Sequence, residues 1–330
     1  MVPVTGPLRR LAAGTLASSV GTGAWYTSWA LFLTRSVGLS PAAVGVGLTL
    51  AGALGLLAAT PLGWLADRVG AREVYAALLA LQGIAALGYL AVGAFPAFVA
   101  VACLSEVARA GAGGARNALV IALCGGRDEL GALGALRSLS HVGWALGAAL
   151  GAAVVGLDSR AAYAALLVLN ATSFIAYALL VASVPRVAPG CGAGAGRSLR
   201  VVHDRPYMTL AGLVGLLALC WAMLSSGLPL WVALHTDAPR WLPALIVVVN
   251  SLAIAAFQVR ASRAMDSPQA AARGAALSGL ALAAACVLFA LTAGGGGPVA
   301  VALLLAGGLA HVAGELFFVC LLYTSPSPRD

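Results

Sequence analysis

Apolar residues in this chain do not alternate with polar ones. They run on for about twenty positions at a time, and the polar residues gather in short breaks between the runs. A bilayer core about 30 Å thick is crossed by about 20 apolar residues in a helix. Ten segments fit that length: 11–33, 42–65, 73–93, 97–123, 133–157, 161–183, 208–234, 242–259, 273–293 and 298–320. The pattern predicts an all-α polytopic membrane protein, since in lipid a helix satisfies its own backbone. Arg9 and Arg10 precede the first run as they would in a secretion signal, but this run is longer than such signals carry and holds Trp25, Tyr26 and Trp29. It is read as an uncleaved first helix.

Composition agrees. Of 330 residues, 61% are hydrophobic and 9% charged, and the mean hydropathy is +0.97, whereas a soluble domain is about a quarter charged. The net charge of +8 comes from 19 basic residues, all arginine, against 11 acids. In a soluble chain that excess would suggest nucleic acid. Here the arginines sit in short clusters between apolar runs, so they are read as topology signals, with no nucleic-acid partner. Fourteen fall on the side shared by the N-terminus and every second loop, and Arg35, Arg160 and Arg240 on the other. The bias predicts a multi-pass protein of the plasma (inner) membrane with a cytoplasmic N-terminus. The six cysteines form no CxxC pair, and no GxxxxGK[ST] loop occurs, so the sequence implies no metal, no cofactor and no direct use of ATP.

The longest hydrophilic stretch, Pro185 to Tyr207, is rich in Gly, Pro and Arg and suits a flexible linker. It predicts an N-terminal six-helix bundle (1–185), a cytoplasmic linker (186–207) and a partial C-terminal bundle of four helices (208–319). The last segment, CLLYTSPSPRD (320–330), departs from the Ala, Gly and Leu style of the rest and reads like a translated sequencing adapter. It is expected to be a non-native tail, with the natural protein continuing past the tenth span.

After the second span comes PLGWLADRVGAREVY, which places Gly63, Asp67, Arg68, Gly70 and Arg72 at the spacing G-x-x-x-D-R-x-G-x-R. Gly63 would let helices approach closely and Gly70 would permit a tight turn. On the turn between spans 2 and 3, in a chain with six spans before a long linker, this motif resembles the major facilitator superfamily over residues 8 to about 319. The resemblance implies two six-helix bundles about a central substrate path, with about 10 of the expected 12 helices present. It also implies a cytoplasmic gating role for the motif, with Asp67 engaging the end of an eleventh helix and latching the bundles together.

Span 4 reads CLSEVARAGAGGARNALV and puts Glu106 and Arg109 on one helical face. Either charge alone in hydrocarbon costs a few kcal/mol on insertion scales, so the two are expected to face each other or a wet cavity. An arginine there followed by small residues also resembles the superfamily's fourth-helix motif, in which the basic residue is associated with proton coupling. Span 10 carries His311 and Glu315, four residues apart, either a proton relay or a buried polar pair. Gly143, Gly147 and Gly151 give span 5 a groove for helix packing, without the proline usual in the superfamily's drug exporters. Gln82, Asn170, Asn250 and Gln258 are read as interhelical hydrogen-bonding groups or substrate contacts. Trp25, Tyr26 and Trp29, with Trp221 and Trp231, are interfacial anchors or path walls, and Asn250 joins Trp221 among the substrate-path candidates.

These features point to a secondary transporter of a small, amphipathic organic molecule, working by alternating access, driven by protons and leaning to efflux, and the resemblance implies a monomer. A non-transporting membrane scaffold or sensor is the alternative. An intramembrane enzyme using Glu106, His141 or His311 is disfavoured, because neither GxSxG nor HExxH occurs.

Overall fold

The computed structural model describes residues 6–126, 128–157, 159–186, 205–239, 242–263 and 267–324. Most of the predicted linker, and the tail beyond Thr324, lie outside the described residues. Eleven helices are described: α1 (Gly6–Leu31), α2 (Pro41–Val69), α3 (Ala71–Gly88), α4 (Phe95–Cys124), α5 (Glu129–Leu157), α6 (Arg160–Ala182), α7 (Arg205–Ala222), α8 (Leu228–His235), α9 (Leu242–Arg263), α10 (Pro268–Ala290) and α11 (Gly297–Thr324). A π-turn at Met223–Gly227 joins α7 to α8, so the seventh predicted span is one helical rod with a single extra-wide turn. The ten predicted spans are therefore ten rods, with ends shifted by a few residues. The tenth runs on through Thr324, into the segment read as a tail.

Local chemistry sets several of the helix starts and stops. Ser40, Ser159 and Ser267 are N-caps whose hydroxyls accept the backbone N–H of Ala43, Ala162 and Ala270, each at 3.2 Å. Pro41 and Pro268 follow two of them in the first turn, where a missing N–H costs nothing. The break between α2 and α3 is Gly70, whose φ of +120° no other residue adopts without strain. Gly125 ends α4 in the left-handed conformation.

Seven helices, α2 to α6, α10 and α11, are long and apolar enough to cross a bilayer by length and composition. Large apolar side chains such as Leu56, Leu57, Leu157, Leu179 and Leu280 are more than two-thirds exposed, the expected state of a surface solvated by lipid. Helix α1 is less apolar than these and packs against α5 and α6. Several of its hydroxyls are satisfied within the helix: Thr22 donates to the Ser18 carbonyl at 2.8 Å, Thr27 to Gly23 at 2.9 Å and Ser28 to Ala24 at 3.0 Å, whereas Thr15 pairs with the Tyr177 hydroxyl of α6 at 2.8 Å.

The chain divides into two compact units, Met1–Gly192 and Ala193–Asp330. In the first, α1 lies against α5 and α6, α2 against α4, and α3 against α4 and α6. The α5 glycines form a close seam with α1. A Cβ at Gly143 would lie 2.6 Å from Ser19 Cβ, one at Gly147 2.1 Å from the Val20 carbonyl oxygen, and one at Gly151 2.5 Å from that of Ala24. In the second unit α11 is central, packed on α10, α9 and α7, over a core that includes Leu228, Leu242, Ile246, Phe289 and Leu304.

Candidate functional site

Helical repeats bring polar and aromatic side chains of the first unit to one place. Trp25, Tyr26 and Trp29 come from consecutive turns of α1, Glu106 and Arg109 from α4, Asn170 and Phe174 from α6, and Gln82 from α3. Together they line a cavity of about 160 Å³. Inside it Arg109 donates to a single carboxylate oxygen of Glu106 through Nε at 2.8 Å and Nη2 at 2.6 Å. The pair predicted from spacing is thus formed within the helix, with Arg109 the more exposed partner. The aromatic wall is braced from behind. Trp25 meets Tyr89 at 4.9 Å and Phe32 at 5.7 Å between ring centroids, and Tyr26 stacks on Trp144 of α5 at 5.6 Å.

A second cluster lies inside the other unit. Glu315 is 2% exposed, and its two oxygens accept hydrogen bonds from Trp221 Nε1 at 3.0 Å and Asn250 Nδ2 at 2.9 Å. One turn earlier on α11, fully buried His311 sets Nε2 2.9 Å from the Cys220 carbonyl oxygen. A carbonyl only accepts, so Nε2 is the donor of this bond and Nδ1 is the other ring nitrogen. That atom has no hydrogen-bond partner among the described residues, and neither has Asn250 Oδ1. Three helices thus bring together residues singled out in the sequence: Trp221, itself exposed, and Asn250 bond Glu315, while His311 one turn away bonds the Cys220 carbonyl. Neutral donors offset part of the cost of burying a carboxylate there.

The motif residues lie at the α2–α3 turn. Asp67 and Arg68 are exposed, with the Arg68 guanidinium 4.1 Å above the Trp64 ring. Gly70 makes the expected turn. Gly63 differs from expectation: a Cβ there would meet nothing within 4 Å, so no close helix approach is made at this position among the described residues. Arg72 instead reaches α6, donating to the carbonyls of Val184 at 2.9 Å and Ala182 at 3.3 Å, where a cation suits the negative end of the helix.

Sequence reasoning missed Glu73. Its Oε1 accepts from Arg72 at 2.8 Å and lies 3.4 Å from Arg186 Nε, tying α3 to the segment after α6. An acid in the first turn of a helix was the available signal. Tyr89, Ser105 and Phe174 also line the cavity without having been singled out. Gln82 and Asn170, read mainly as helix-to-helix hydrogen-bonding groups, face the cavity as well. His141 lies beside Trp144, ring centroids 6.4 Å apart. Among the described residues no three His, Cys, Asp or Glu side chains gather as metal ligands.

A profile of the Major Facilitator Superfamily matches residues 11–327. Among solved structures, a variant of the nucleoside transporter NupG is similar with a TM-score of 0.66 and 16% identity, over 98% of this chain and 84% of that one. The proton:xylose symporter XylE bound to 6-bromo-6-deoxy-D-glucose is similar with a TM-score of 0.64 and 12% identity, over 97% of this chain and 82% of that one. At these identities the likeness establishes the fold. Curated protein sequences gave no match.

Proposed function

Given that the chain belongs to the Major Facilitator Superfamily, and is therefore a multi-pass membrane protein of a transporter family, we propose that it moves a small organic molecule by alternating access, driven by protons and in the outward direction. The cavity of the first unit carries this reading. Amphipathic aromatic walls and one ion pair, set in a body whose outer surface is apolar, suit a transient stop for a partly polar solute. Trp25, Tyr26 and Trp29 give it a flat surface, while Gln82 and Asn170 supply hydrogen bonds.

Glu106 and Arg109 couple the cargo to protons in this proposal. A proton on Glu106 cancels the charge that holds the Arg109 guanidinium, so protonation releases Arg109 toward the cavity and deprotonation recaptures it. His311 and Glu315 form the corresponding proton-bearing group of the second unit, with Trp221 and Asn250 fixing the carboxylate. The rest of the proposal is topological. Residues 1–185 form one bundle and 208–319 part of the other, joined by a cytoplasmic linker. The protein works as a monomer in the plasma membrane with its N-terminus inside, and Asp67 latches the cytoplasmic face.

The test makes no assumption about cargo. The full chain is reconstituted into vesicles loaded with a mixture of small metabolites, a pH gradient is imposed, and the retained contents are weighed against protein-free vesicles by mass spectrometry. Gradient-dependent loss of particular solutes is expected. Identical retention of every component with and without protein refutes transport.

A further inference from the structure

The charge and hydrogen-bonding inventory of the first unit's cavity restricts what it accepts. Among its lining residues only Glu106 and Arg109 are charged, and they are paired at 2.6 Å. The cavity therefore presents a dipole rather than a net charge. An anionic solute drawn to Arg109 meets the Glu106 carboxylate beside it, and a cationic solute drawn to Glu106 meets the guanidinium. Either would leave water without a counter-charge to replace its hydration.

The rest of the lining points the same way. Gln82 and Asn170 each carry both a donor and an acceptor, as does the hydroxyl of Tyr89. Asn170 is 4% exposed, and its Oδ1 has no hydrogen-bond partner among the described residues. That oxygen is packed toward Gly21 of α1 and shielded from solute, so it adds nothing to the hydrogen-bonding surface of the cavity. Trp25 and Trp29 supply faces on which a ring can lie.

We infer that the cavity selects an uncharged, ring-shaped solute bearing several hydroxyl or amide groups, and excludes the phosphorylated form of the same solute. This rests on the transport reading above and narrows it to one cargo class. Neutrality comes from the Glu106–Arg109 pair while Glu106 is ionised, so in that half of the proton cycle the pair is also the charge filter: breaking it from one side gives the cavity a net charge and changes what enters.

The test uses two matched pairs of probes on the full chain in lipid nanodiscs: uridine against uridine 5′-monophosphate, and D-xylose against D-xylose 1-phosphate. Binding is read by calorimetry and by quenching of tryptophan fluorescence. In the unaltered protein at least one neutral probe should bind, and its phosphate should bind at least about tenfold more weakly. Glu106→Gln, which leaves Arg109 unpaired, should narrow or invert that ratio. Arg109→Gln should widen it, because the remaining carboxylate repels phosphate. Asn170→Ala should weaken the neutral probe and leave the ratio unchanged.

Phosphate binding equal to or tighter than neutral binding in the unaltered protein overturns the inference. So does binding of neither neutral probe, or a ratio indifferent to Glu106→Gln in a variant that elutes as the unaltered protein does. The vesicle experiment separates this from the wider reading. Gradient-driven loss of charged solutes would sink the cargo class and leave transport standing, whereas loss of nothing would sink transport itself.

Discussion

Substituting Gly147 by alanine should separate α1 from α5, and the structure sets the scale of the damage. The added Cβ would fall 2.1 Å from the Val20 carbonyl oxygen and 2.8 Å from the Ala24 nitrogen. Both are backbone atoms, so no rotamer change relieves the contact. One helix must move by about 1 Å, and the flanking contacts at Gly143 and Gly151 open with it. Overpacking of this kind costs about 1–3 kcal/mol. The matched controls are Gly45→Ala and Gly52→Ala in α2, where the new methyl meets nothing within 4 Å. There alanine is the better helix former, by about 0.5–1 kcal/mol, and the sign should reverse. Thermal unfolding of the purified protein in detergent reads the difference. At about 2–4 °C per kcal/mol for a body of this size, Gly147→Ala should melt several degrees below the unaltered protein and the controls at or slightly above it. A Gly147→Ala midpoint equal to that of the controls would refute the packing argument.

Other expectations follow from single contacts. Gly70→Ala forces a side chain into a φ of +120° and should destabilise the first unit by about 1–3 kcal/mol, seen as a lower melting temperature. Asn250→Ala removes one of the donors to buried Glu315 and should cost about 1–3 kcal/mol in detergent unfolding, while Glu315→Gln in the same background should recover part of the loss. Ser267→Ala deletes the N-cap of α10 and should cost about 1 kcal/mol, visible as faster amide exchange in its first turn. Arg109→Lys keeps the charge but loses the two-nitrogen grip on Glu106, and should lower gradient-driven solute loss from vesicles more than it lowers melting temperature.

The sequence revealed the fold clearly because lipid imposes one strong rule, about 20 apolar residues per crossing, and seven of the described helices meet it by length and composition. Spacing also revealed a pair formed within one helix, Glu106 with Arg109, one turn apart. Spacing could not say which helices would meet. Trp221 and Asn250 lie 94 and 65 residues before Glu315 in the chain, and no periodic pattern links such distances. The same limit hid Glu73, whose ties run partly to Arg186 beyond α6. It also misdirected Gly63, since a small residue reads alike whether a neighbour covers it or not.

The most direct test of the account is counterflow. Vesicles carrying the full chain are loaded with whichever neutral probe binds and diluted into a trace of its radiolabelled form, with no gradient imposed. The account predicts a transient accumulation of label in vesicles bearing the unaltered protein, reduced in those bearing Trp25→Ala or Arg109→Gln. No accumulation with the unaltered protein, or accumulation indifferent to both substitutions, would contradict it.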